Sequence, residues 1–177
     1  MKRTLMIIAI MLPMLGSWAY QNCPDDYTYQ RSDGRQAVIS LRDGDSTAVI
    51  EYRVDGELLS EWEIRHKVFR FCCGDITGDG IPEIAVGVIK PTRYSPDERK
   101  RLWLLKLYEE ELIRPLWLSS RLSHRLEDFS IEPDGTILSS EVEEDGTPVK
   151  VRYRYRGFGL KYIDRSRTGF RSKSSLK

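Results

Sequence analysis

The residues best suited to chemistry in this sequence lie in one stretch, Asp75-Ile76-Thr77-Gly78-Asp79-Gly80-Ile81-Pro82-Glu83. Acidic side chains stand at its first, fifth and ninth positions and glycines at its fourth and sixth. Such spacing suits a tight loop that turns oxygens inward, because glycine lets the backbone curl and brings carbonyls beside carboxylates. A hard cation such as calcium takes roughly six to eight oxygens. The expected ligand set is Asp75, Asp79 and Glu83 with the Ile81 carbonyl, and Thr77 at the third position. The same residues also fit an ordinary Asp/Gly turn, in which Asp75 caps backbone amides and Glu83 is solvated. A third possibility is catalytic. Paired carboxylates such as Asp75 and Glu83 can do acid/base work on a glycosidic bond when suitably separated.

Other reactive side chains are sparse. His66 and His124 are the only histidines, each flanked by basic neighbours, and no Gly-x-Ser-x-Gly or His-Glu-x-x-His motif accompanies them. Both read as surface residues. Three cysteines in an exported chain permit one disulfide and one thiol. On a strand over 68–73, Phe69, Phe71 and Cys73 share one face, and Val68, Arg70 and Cys72 the other. Cys73 is therefore expected to be buried with the aromatics, and Cys72 to pair with Cys23. No Cys-x-x-Cys spacing supports zinc or redox chemistry.

The elements that must position these groups are strands. Asp-Gly pairs at 33–34, 43–44, 55–56, 79–80, 134–135 and 145–146 punctuate short apolar runs, a strong hairpin signal. Parity of the flanking residues sets the expected registers. A three-residue loop at 32–34 places Tyr29 opposite Ala37, and one at 133–135 places Ile131 opposite Ile137. A three-residue loop at 54–56 places Tyr52 opposite Leu58 and Ala48 opposite Trp62, whereas a two-residue turn at 145–146 places Val142 opposite Val149. Ile84 to Ile89 and Leu102 to Leu107 are apolar on both faces, as inner strands covered twice should be. Between them, 94–101 reads as a helical turn with Ser95 as cap and Pro96 at its first position. Pro115 marks 112–118 as an edge. Lys150 to Arg156 alternates, with Val151, Tyr153 and Tyr155 inward and the basic residues outward, where Glu141, Glu143 and Glu144 could pair with them. Rings and charges on opposite faces make a poor nucleic-acid surface.

The expected fold is all-β, built of antiparallel hairpins in blade-like sheets. Three groups, 27–64, 69–118 and 126–163, suggest a small or open propeller-like stack, with a curved β-sandwich as the alternative. About residues 71–90, the Asp-x-x-Gly-Asp-Gly loop with its flanking strands resembles a blade of the FG-GAP/VCBS type, the repeat of integrin α-chain heads. It departs from that pattern at Thr77, where Asp or Asn is usual, and at Glu83, where Asp is usual. The resemblance implies a calcium-stabilised loop in a β-propeller-like domain.

A chain of 177 residues accommodates one domain with a real core. Lys2 and Arg3, an apolar stretch from Leu5 to Leu15 and Ser17-Trp18-Ala19 read as a signal peptide over 1–19 cleaved after Ala19. The apolar stretch is too short to span a bilayer stably. The mature domain then covers 20–163, followed by a basic tail over 164–177. Cleavage takes two basic residues from 28 and no acids from 27, leaving 26 against 27 and a net charge of −1. Near neutrality argues against nucleic acid or an anionic membrane as the main partner. The resulting expectation is a secreted or periplasmic, non-enzymatic binding or interaction domain for an unknown protein or polymer. The alternative is a hydrolase acting on an envelope polymer.

Overall fold

The computed structural model describes residues 25–44, 47–92, 95–118 and 122–167. The signal peptide over 1–19, Cys23 and residues 168–177 of the tail lie outside the described residues. Within them, the apolar runs form strands that hydrogen-bond only to their sequence neighbours. The first sheet contains β1 (Asp26–Gln30), β2 (Gln36–Asp43), β3 (Ala48–Val54) and β4 (Glu57–Ile64). The second contains β5 (Lys67–Gly74), β6 (Glu83–Thr92), β7 (Ser95–Tyr108) and β8 (Leu112–Leu118). The third contains β9 (Arg125–Ile131), β10 (Ile137–Val142), β11 (Pro148–Tyr155) and β12 (Leu160–Arg167). The fold is therefore all-β, three four-stranded antiparallel meanders that form no closed barrel.

The second sheet is the middle layer. Ile84, Val86, Val88, Leu105 and Leu107 point into a core shared with Ile39, Ile50 and Tyr52 of the first sheet. Ala85, Leu102 and Leu104 point the other way, into a core shared with Phe129, Ile137 and Val151 of the third. Double coverage is why β6 and β7 read as apolar on both faces. The two outer faces carry ionic ladders instead. On the first sheet, Arg42 reaches Asp26 at 3.1 Å and Glu51 at 3.8 Å, and Arg53 reaches Glu51 at 3.1 Å. On the third, Arg152 lies among Glu132, Asp134 and Asp164 at 3.2, 3.8 and 3.6 Å, with Arg154 at 3.6 Å from Asp134. Such exposed pairs add little stability. Their effect is to end the stack, as polar capping faces end a repeat array.

Turn chemistry sets the registers. Tyr29 faces Ala37 and Ile131 faces Ile137, as parity predicts. Asp145-Gly146 makes the same loop as those two hairpins and not a two-residue turn. Gly34, Gly135 and Gly146 each donate to the carbonyl three residues back, at 3.0, 2.9 and 3.0 Å. Val142 consequently faces Pro148, and Glu141 faces Val149. At Asp55-Gly56 the outcome is the reverse. Both residues take positive φ, 49° and 86°, and form a two-residue turn that pairs Arg53 with Leu58. A bulge at Leu59 then restores the inward parity, so Ile50 faces Trp62 and Ala48 faces Ile64.

Three further expectations change. Residues 95–101 extend β7 rather than forming a helical turn, because Ser95 to Arg101 continue the ladder with β6. Phe69 is a bulge between the paired residues Val68 and Arg70. It joins Cys72 on the third-sheet side, while Phe71 and Cys73 face the first sheet. Its ring lies over Gly87, where an added Cβ would come within 2.6 Å of it, so only glycine fits opposite the bulge. Finally, β12 runs to Arg167, so 164–167 is strand and not tail.

Candidate functional site

The loop from Asp75 to Pro82 joins β5, an edge strand of the middle sheet, to the inner strand β6. Asp75 Oδ1 accepts the Gly78 and Asp79 amides at 2.6 and 3.2 Å, and its Oδ2 accepts the Gly80 amide at 3.0 Å. Gly78 and Gly80 hold φ of 82° and 85°, which is what turns those N–H groups inward. Asp79 Oδ1 accepts the Ile81 amide at 2.9 Å. Glu83 is 2 % exposed, not solvated. Its Oε2 accepts the Ile76 and Thr77 amides at 2.8 and 3.0 Å, and its Oε1 accepts the Thr77 hydroxyl at 3.0 Å. Burial pushes the Glu83 carboxyl above the usual carboxylate range, against the donors that hold it down.

The five residues expected to bind a cation, Asp75, Thr77, Asp79, Ile81 and Glu83, are thus brought together but turned to other work. Asp75 and Glu83 cap backbone amides, Thr77 donates its proton, and Ile81 packs on the first core. Among the described residues, no group of three or more His, Cys, Asp or Glu is disposed to hold a metal.

What the loop does is join the layers. Ile76 is buried in the second core while Ile81 lies against the first. Gly135, in the turn between β9 and β10, packs so closely that an added Cβ would sit 2.4 Å from the Asp75 carbonyl oxygen. The second layer has polar ties as well. Arg70 Nε donates to Asp128 Oδ1 at 2.7 Å, and Lys100 Nζ donates to the Glu127 carbonyl at 2.7 Å.

A second carboxylate cluster escaped the sequence reading. Glu141 is 1 % exposed, and its Oε1 lies 2.9 Å from the Tyr153 hydroxyl, which donates to it, and 2.5 Å from Ser139 Oγ. Its Oε2 accepts the His124 amide at 2.7 Å, and the Ser123 amide donates to the Tyr153 hydroxyl at 3.1 Å. Burial raises the Tyr153 pKa far above the ordinary phenol value. The cluster pins the segment before β9 to the third sheet, and it means that Glu141 does not pair with the arginines of β11. Polar residues at core parity, Ser139 and Glu141, were its only sequence signal.

Among the described residues, neither imidazole is hydrogen-bonded to a hydroxyl or thiol. His66 is half-buried, edge-on to Trp103 with ring centroids 5.7 Å apart. Burial, together with nearby Lys90, keeps its pKa below the usual histidine value. His124 Nε2 lies 3.9 Å from Glu143 Oε1, an oxygen that Arg165 also engages. Cys72 is bonded in a disulfide and Cys73 is free, its thiol pushed far up in pKa by burial. Cys23, the partner expected for Cys72, lies outside the described residues.

One part of the middle sheet is left uncovered. Lys106 pairs with Arg114, Tyr108 with Leu112, and Leu104 with Trp117. Leu104 belongs to the second core, so this whole set faces the third-sheet side. Tyr108 is 47 % exposed and Leu112 40 %. Toward the other end of β8, the β11–β12 turn sets Gly159 against Trp117, whose Nε1 would lie 2.9 Å from an added Cβ, and carries Phe158 fully exposed.

No family model matches the sequence, and no curated protein matches it. Among solved structures, the chain is similar to one described as "Structure of a Xanthomonas Type IV Secretion System related protein". Identity is 14 % over 79 % of this chain and 80 % of that one, with a TM-score of 0.38. A likeness of that size carries no argument about this chain.

Proposed function

We propose that this protein is an exported interaction domain, which holds another macromolecule and does not turn over a substrate. The observation that supports this reading is how its polar groups are divided. The carboxylates best placed for chemistry, Asp75, Glu83 and Glu141, are occupied by amides and hydroxyls inside the fold. The outer faces neutralise themselves in ionic ladders. Large apolar side chains also stand in water, Tyr108 and Leu112 side by side at the β7–β8 turn and Phe158 in the β11–β12 turn. Exposed apolar clusters on a folded domain mark binding surfaces.

Amine-reactive cross-linking in the producing cells, read by mass spectrometry, tests this. One recurrent partner is expected. Absence of any recurrent partner would count against the reading. Release of soluble fragments from an envelope polymer by the wild type, lost in Asp75→Asn, would establish the hydrolase instead.

A further inference from the structure

One short piece of chain joins the first sheet to the middle one. β4 ends at Ile64 and β5 starts at Lys67, so only Arg65 and His66 cross between them. Arg65 is held by Glu63 at 3.1 Å. The His66 ring instead stands edge-on to Trp103, with centroids 5.7 Å apart, and Trp103 packs on the first core. That indole already carries a cation. Lys90 Nζ lies over it, 5.1 Å from the ring centroid. The charged residues on this face of the middle sheet are Lys90 on β6 and Asp97, Arg99 and Arg101 on β7, while β8 offers Leu118 opposite Trp103. The carboxylates of this corner are turned to other partners. Asp97 pairs with Arg99 at 3.3 Å, Glu63 with Arg65, and Glu61 lies opposite Glu51 on the outer face of the first sheet. Lys67 and Lys100 alternate to the third-sheet side, where Lys100 reaches Glu127.

We propose that His66 is a proton-sensitive fastener between the first two sheets. Neutral, the ring seats on Trp103 and holds the start of β5. Protonated, it is driven off toward water and the link works loose. A neutral imidazole lies beside an indole that carries an ammonium without electrostatic cost. An imidazolium there sets a second cation beside Lys90 and gives up water on the side turned to Trp103. Burial and Lys90, in that order, accordingly hold the His66 pKa below the usual histidine value. The stability that the seat contributes is present in full above the ordinary histidine pKa. It is lost as pH falls through that value toward the lowered one. The joint therefore weakens in acid.

The test is an NMR titration of the full mature chain across the histidine range, with His66→Gln to assign the two imidazoles. The His66 resonances should turn over below the ordinary histidine value, and the Trp103 indole N–H should shift with the same midpoint. On the acid side, amide exchange at Lys67 and Val68 should be faster in the wild type than in His66→Gln at the same pH. Lys90→Met keeps the stem over the indole and removes the charge, so it should raise the His66 midpoint. A His66 midpoint at or above the ordinary value, as an imidazolium drawn to the indole would give, overturns the proposal. So does an unchanged midpoint in Lys90→Met, which would remove the second cation from the corner. A lowered midpoint whose protonation leaves the Trp103 and Lys67 signals in place overturns it as well, because the ring would then titrate without moving the link.

Discussion

The two interlayer spaces share the middle sheet yet are held together differently. Between the first and second sheets, the buried set is Ile, Val, Leu, Ala and aromatic rings, with polar contact confined to one end. There Tyr29 and Tyr52 hydroxyls lie 3.1 Å apart, and Arg31 reaches across to the Glu110 carbonyl at 3.0 Å. Between the second and third sheets, apolar contact is supplemented by a buried carboxylate at Glu141, the Arg70–Asp128 pair and a glycine pressed on the Asp75 backbone. The first space is fixed by alternation and tolerates imprecision. The second depends on particular atoms, and it leaves the end of β7 and β8 open to solvent.

That contrast is sharpest at Gly135. Its φ of 77° already disfavours a side chain, and the Asp75 carbonyl occupies the place of a Cβ. Gly135→Ala is expected to cost about 4 kcal/mol in chemical denaturation, from backbone strain plus overpacking against main chain. A cost under about 1 kcal/mol would mean that the second layer is not seated on that turn. Glu141→Ala should follow at roughly 3 kcal/mol, because it strands the His124 amide and the buried Tyr153 hydroxyl, while Ser139 keeps the Val151 carbonyl at 3.1 Å. The matching change in the first space, Tyr52→Phe, should cost only about 1 kcal/mol, since Arg31 keeps Glu110 and Asp33 and the Tyr29 hydroxyl is only half-buried. Were Tyr52→Phe the more harmful, the comparison between layers would be inverted.

The smallest effect is expected in the pH dependence of the joining loop. Burial raises the Glu83 pKa in the folded chain. The stability this contributes is present in full below the ordinary glutamate value and is lost as pH rises through the raised one. The advantage of wild type over Glu83→Gln should therefore be larger at about pH 4 than at about pH 7. A constant difference across that window would show that Glu83 is not desolvated.

Much of this architecture can be read from residue order. Asp-Gly pairs and alternation are enough to mark three groups of hairpins, the doubly covered strands β6 and β7, and two of the registers. The remainder turns on bulges, which parity does not contain. One extra residue at Phe69 sends that ring to the opposite core, and one at Leu59 lets a two-residue turn coexist with inward Trp62. Glu141 was hidden for a related reason. Pairing that keeps a carboxylate out of the core looks better on pattern, but Tyr153, Ser139 and the His124 amide offset its burial. The loop at 75–83 was located correctly from its spacing. Which way its oxygens point depends on the amides they meet, and spacing alone does not distinguish an amide from a cation.

The central proposal is that the acidic loop serves as an amide-capped junction between the layers and not as a calcium site. Thermal melting of the wild type, Asp79→Ala and Asp75→Asn, each in calcium and in chelator, tests it most directly. Asp75→Asn should lower the melting point equally in both conditions, because it weakens the three hydrogen bonds that the Gly78, Asp79 and Gly80 amides donate to hold the junction. Wild type should melt at the same temperature with and without calcium. A calcium-dependent rise of a few degrees in the wild type, the size expected of a weak extracellular site near about 1 mM calcium, and its loss in Asp79→Ala, would contradict the account.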